Sequence, residues 1–97
     1  MENTGIKSNV IEEIVEIARR YEIKKVILFG SRARGDCHRA SDIDLAVFGG
    51  NVDGFAVDVR EETSTLLQFD VIDLNQKTDQ KLLDSISREG IIIYEKI

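Results

Sequence analysis

The chain has 97 residues, 42% of them apolar and 32% charged, with seven glycines, one cysteine and a net charge of −5. One domain with a modest core is expected over residues 1–97, a length with no room for a second. The acidic balance argues against a broad nucleic-acid groove, which needs clustered Lys and Arg; the lone Cys37 excludes an intrachain disulfide; and no apolar run approaches the ~20 residues of a membrane span.

The stretch Met1 to Ser8 is polar and carries no signal-type segment, so it is expected as a loose leader of a cytoplasmic protein. Asn9, with Glu12 three residues on, resembles a capping box. Val10, Ile11, Ile14, Ile17, Ala18 and Tyr21 then recur at helical spacing, with Glu12, Glu13, Glu16, Arg19 and Arg20 opposite. This predicts an amphipathic helix lying on one face of a sheet.

Val26-Ile27-Leu28-Phe29, between Lys24-Lys25 and Gly30, fits a strand buried on both faces. Gly30-Ser31 then turns the chain into a short helix, with glycine permitting close approach and serine supplying a cap. Free N–H groups at such a turn attract an anion, and phosphate is the obvious occupant. After a polar loop comes Ser41-Asp42-Ile43-Asp44-Leu45-Ala46-Val47, read as a second strand. The strand period of two puts Asp42 and Asp44 on one face and Ile43 and Leu45 on the other. Two unpaired carboxylates repel, and a divalent cation relieves that repulsion; hard oxygen ligands with room for water and phosphate suit Mg²⁺. Arg32, Arg34 and Arg39 cluster around the same loop. Cys37 and His38 are too few to make a zinc site.

Gly49-Gly50-Asn51 ends the second strand. From about Asp53 to Leu67, residues Phe55, Val59, Thr63, Leu66 and Leu67 can share a helix face, although Val57-Asp58-Val59 also alternates as a strand would. Asp58 is a further candidate carboxylate, ranked below Asp70 because the helical reading turns it to solvent. Phe69 to Leu74 reads as a short strand with Asp70 and Ile72 on one face and Val71 and Asp73 on the other, and parity does not choose between the aspartates. A helix with Leu82, Leu83 and Ile86 inside follows, with Gly90 as its C-cap glycine. Ile91-Ile92-Ile93-Tyr94 closes the chain as an edge strand, protected from further pairing by Lys96. The order predicts an α/β (α+β) fold: one small mixed sheet of about four strands flanked by helices.

Gly30-Ser31, ten intervening residues from Arg32 to Ser41, then Asp42-Ile43-Asp44: this ordered set resembles the nucleotidyltransferase superfamily of the DNA polymerase β type. Within it the chain is similar to the minimal nucleotidyltransferases, with their GSX10DXD motif, that serve as antitoxins in HEPN/MNT toxin–antitoxin systems. The resemblance spans nearly the whole chain. It implies a nucleotidyltransferase fold and a third carboxylate on a later strand, best matched by Asp70, with Asp73 left as a surface residue. Asp42, Asp44 and Asp70 are then the catalytic and metal-holding set for Mg²⁺, in a pair of ions. Gly30 and Ser31, with Arg32 or Arg34, would bind the phosphates of ATP.

The reaction so implied moves a nucleoside monophosphate from a triphosphate to an acceptor hydroxyl and releases pyrophosphate. Polymerases and antibiotic-modifying relatives hold the second substrate with added domains; here it is expected from outside, through a homo- or hetero-oligomer. The family supplies a small helical HEPN ribonuclease toxin that receives AMP on a tyrosine. Two alternatives stand beside this protein adenylyltransferase: an antitoxin that works by binding alone, and a nucleotidyltransferase for a small molecule such as an aminoglycoside.

Overall fold

A computed structural model describes residues 4–97. Its elements are α1 (Ser8–Arg20), β1 (Lys25–Phe29), α2 (Ser31–Arg34), β2 (Ile43–Phe48), α3 (Val52–Glu62), β3 (Phe69–Asp73), α4 (Gln80–Glu89) and β4 (Ile91–Glu95). The strands form one mixed sheet in the order β3-β2-β1-β4. β1 runs antiparallel to both β2 and β4, whereas β2 and β3 are parallel.

The apolar run of β1 has no polar alternation because helices lie on both of its faces. Val26 and Leu28 join β2 residues Ile43, Leu45 and Val47 in a core filled by Ile14 and Ile17 of α1 and Phe55 and Val59 of α3. On the opposite face Phe29, Ile27 and Ala46 pack with Ile72 and with Leu82 and Ile86 of α4. Burying each such large side chain contributes about 1.5–3 kcal/mol. This face is the thinner one, and it carries Asp44 and Asp70, which share their strand parity with Ala46 and Ile72.

Several details depart from the sequence reading. The described part of the leader is anchored at two residues: Thr4 is only 2% exposed and Ile6 8%, the latter inside the larger core, while Gly5 and Lys7 between and after them are exposed. Its first three positions lie outside the described residues. Asn9 sits within the first turn of α1 and Lys7 takes the N-cap position without a side-chain bond, so no capping box forms. α3 is capped by Asn51, whose Oδ1 accepts from the Gly54 N–H at 3.1 Å. It stops at Glu62, because Thr63 turns extended and its hydroxyl donates back to the Val59 carbonyl. Residues 57–59 are therefore helical and the strand reading is lost. Gly90 does end α4, but with φ −66° it is not left-handed; a Cβ there would collide with the Ile86 carbonyl and the Ile27 side chain.

Candidate active site

The site forms where β1 leaves the sheet and β2 and β3 enter it. After Phe29 the chain reverses at Gly30 with φ 76° and ψ −157°, a combination nearly restricted to glycine. Space demands glycine as well, since a Cβ would strike the Asp44 carboxylate. Gly30, and not Ser31, therefore takes the N-cap position of α2, and Ser31 is the first residue of that single turn. The turn is closed by the Arg34 N–H on the Gly30 carbonyl, and by the Gly35 and Asp36 N–H groups on the Ser31 carbonyl, at 2.9–3.1 Å. The earlier N–H groups of a first turn have no helical partner.

The loop after α2 closes on itself. The His38 N–H donates to the Ser41 hydroxyl at 2.8 Å, and the Ser41 N–H returns a bond to the His38 carbonyl at 3.1 Å. Asp42 follows as the last residue before β2, so the pair of aspartates straddles the strand boundary. The Ile43 N–H then donates to the Gln68 carbonyl and starts the parallel ladder. In that ladder Asp44 lies opposite Asp70, and on its other side opposite Phe29.

Asp42, Asp44 and Asp70 accept no hydrogen bond from any described residue. Burial pushes the Asp44 carboxyl above the ordinary carboxylate range, and the charges of Asp70 and then Asp42 push it further; Arg34 and Arg32 offset part of this. The described residues contain no group of three or more His, Cys, Asp or Glu gathered into a ready metal centre. Asp42 and Asp70 instead stand near enough to Asp44 for their charges to act on it, and such carboxylate oxygens are groups that could hold a Mg²⁺ that keeps waters and substrate phosphates.

The two arginines behave differently. Arg32 is 1% exposed, the largest fully buried side chain among the described residues. Its Nε and Nη2 both reach the Ser41 carbonyl at 3.0 and 2.8 Å, Nη2 also reaches the Arg39 carbonyl at 3.2 Å, and Nη1 donates to the Thr4 carbonyl at 2.7 Å and lies 4.0 Å from Cys37 Sγ. The guanidinium thus turns into the protein and all five of its donors are engaged. Arg34 lies at the surface between Asp36 and Glu89, at 3.1 and 3.0 Å, and Glu89 is the main cause of its raised pKa.

Other sequence candidates lie outside this group. Asp58 accepts the Tyr21 hydroxyl at 2.6 Å and Arg20 at 3.0 Å, tying α3 to α1. Asp73 accepts both the backbone and side-chain amides of Asn75 in a turn. The Cys37 thiol donates to the Thr4 carbonyl at 3.5 Å. Sequence reasoning missed the part of Thr4 and the partner of Arg34; Glu89 lies 55 residues from that arginine, and no local signal links them.

A family model described as "Polymerase beta, Nucleotidyltransferase" matches residues 12–97. A Methanocaldococcus jannaschii protein, provisionally named a protein adenylyltransferase, is 31% identical over 100 residues, covering 91% of this chain and 98% of its own length. Among solved structures, a toxin–antitoxin with AMP-PNP superposes with a TM-score of 0.72 at 22% identity, over 89% of this chain and 73% of that one. A mutant of the toxin–antitoxin MntA-HpeT gives 0.71 at 20% identity over 89% and 73%. A Sulfolobus solfataricus protein provisionally described as a nucleotidyltransferase gives 0.55 at 24% identity over 90% and 78%. At these identities the structural matches establish the shared fold.

Proposed function

The chain belongs to the polymerase β-type nucleotidyltransferase family, and from that premise we propose that it is a protein adenylyltransferase, an antitoxin that transfers AMP from ATP to a tyrosine of a small helical HEPN ribonuclease toxin. The observation that carries the reading is that Asp44 lies opposite Asp70 with Gly30 packed against it, so that the Gly30-Ser31 turn and two carboxylates meet at one sheet end. The name of the M. jannaschii relative and the toxin–antitoxin neighbours support the choice of a protein acceptor.

In this mechanism the acceptor oxygen attacks the α-phosphorus. A new O–P bond forms as the bond from that phosphorus to the α–β bridging oxygen breaks, pyrophosphate leaves, and the hydroxyl proton passes to Asp70 or to water. Asp70 is exposed at the sheet edge, where a hydroxyl on another protein can reach it. Ser31 and the free N–H groups of its turn hold the β- and γ-phosphates, and Arg34 neutralises their charge on leaving its surface pairs. Asp42, Asp44 and Asp70 are the residues that would hold Mg²⁺, which would supply charge neutralisation at the attacking and leaving oxygens.

The test mixes the protein with Mg²⁺, α-labelled ATP and either the candidate helical partner or an aminoglycoside, beside an Asp42→Ala/Asp44→Ala double variant. Label on a partner tyrosine only with intact aspartates is the expected result. A tight complex without label, unchanged in the double variant, replaces the reading with a binding-only antitoxin; label on a small cationic acceptor but never on protein replaces it with a small-molecule enzyme.

A further inference from the structure

We infer that Arg32 is a positioning residue: its buried guanidinium clasps the loop that ends at Asp42 and thereby fixes where that carboxylate stands. The inference rests on the reading of Asp42 as a metal-holding group. Arg32 opens the ten-residue stretch between Ser31 and Asp42, and Ser41 closes it. The side chain of the first residue thus grips the carbonyl of the last, twice, through Nε and Nη2. That carbonyl belongs to the peptide unit leading directly into Asp42, so its orientation is inherited by the aspartate.

The clasp has a second wall. The Thr4 carbonyl accepts from Nη1 at 2.7 Å, and Gly5 beside it has φ +71° with a would-be Cβ only 2.8 Å from the same nitrogen. Ile6 anchors the segment in the core. A buried cation is costly unless its donors are satisfied, and here backbone carbonyls from two separate segments meet the planar fork. Lysine offers one point charge and three donors in place of that fork, so it cannot hold the Ser41 and Thr4 carbonyls in the same geometry.

The test compares the wild-type protein with Arg32→Lys and Gly5→Ala, the latter crowding Nη1 without removing the charge, and uses Asp42→Asn as control. Three quantities are read: Mn²⁺ affinity without nucleotide, amide exchange of residues 38–42 in the metal-free protein, and the split between kcat and KM for ATP. Mn²⁺ affinity and kcat are expected to fall about ten- to a hundredfold in Arg32→Lys, the effect of losing a residue that orients a metal ligand. KM for ATP should stay within about twofold, and exchange at 38–42 should quicken about tenfold. Gly5→Ala should move all three in the same direction, and it decides alone if Arg32→Lys does not fold. A rise in KM of about tenfold with unchanged Mn²⁺ affinity would make Arg32 a phosphate ligand and overturn the inference. So would a lowered Tm with metal binding and kinetics untouched. If Asp42→Asn weakens Mn²⁺ binding while neither Arg32→Lys nor Gly5→Ala does, only the positioning role fails; if Asp42→Asn binds Mn²⁺ as wild type does, the underlying reading of Asp42 fails with it.

Discussion

Asp44 and Asp70 are direct partners in the parallel ladder between β2 and β3, on the face of the sheet that α4 only partly covers. Like charges facing each other across a ladder destabilise the pair. Here no described residue donates to either carboxylate. The arrangement therefore works against the fold as it stands, and a cation bound between the carboxylates would reverse the sign.

The first prediction follows from that conflict. The raised pKa of Asp44 means that its charged form is less favourable in the folded chain than in the unfolded one. Asp44→Asn removes the charge while keeping the shape. In EDTA at pH 7 its urea midpoint should equal or exceed that of the wild type, while nucleotidyl transfer falls by at least about ten- to a hundredfold, the effect of losing even an outer-shell partner of a metal ligand. A lower midpoint would show that the carboxylate contributes to folding and would count against the repulsion argument.

Gly30→Ala should harm both properties. The backbone there lies in a region nearly confined to glycine, and a Cβ meets the Asp44 carboxylate. Strain of this kind costs about 1–3 kcal/mol. In a domain of this size each 1 kcal/mol lowers Tm by about 4–8 °C. Differential scanning calorimetry reads the loss, and transfer activity should fall with it because the collision displaces Asp44.

Arg34→Ala is expected to separate binding from stability. The pairs of Arg34 with Asp36 and Glu89 are solvent-exposed on the arginine side, and such pairs contribute about 1 kcal/mol or less. Chemical denaturation should therefore change little. Loss of a charge-assisted contact to phosphate, typically about 1.5–3 kcal/mol, should raise KM for ATP about tenfold or more. An unchanged KM would remove Arg34 from the nucleotide site.

The Tyr21–Asp58 bond should shape the pH profile of stability at both ends. The Tyr21 hydroxyl is the main cause holding the Asp58 carboxyl below its ordinary range. That contribution is complete above the usual value of about 3.9 and is lost as pH falls through the lower folded value. The same bond raises the Tyr21 pKa. Its contribution is complete below about pH 10 and is lost as pH rises through the raised value. Tyr21→Phe should flatten the alkaline limb and shallow the acid one in thermal unfolding across pH; an unchanged profile would place the titration elsewhere.

The sequence by itself determined the element order and which residues share a face within β1 and β3. Val26 to Phe29 could be read as doubly buried from its unbroken apolar run, and Asp70 and Ile72 could be assigned one face from a period of two. Periodicity tells which way a side chain points relative to its own strand, because it is a local property of the backbone. It carries no information about the neighbour. That β3 lies parallel beside β2, in the register that sets Asp70 against Asp44, was decided by tertiary packing. The same limit hid the fate of the two arginines. Arg32 and Arg34 are two positions apart on one short turn, yet one meets the Thr4 carbonyl 28 residues back and the other Glu89 55 residues on. A buried cation is settled by whichever distant carbonyls satisfy its donors, and only the folded chain brings them there.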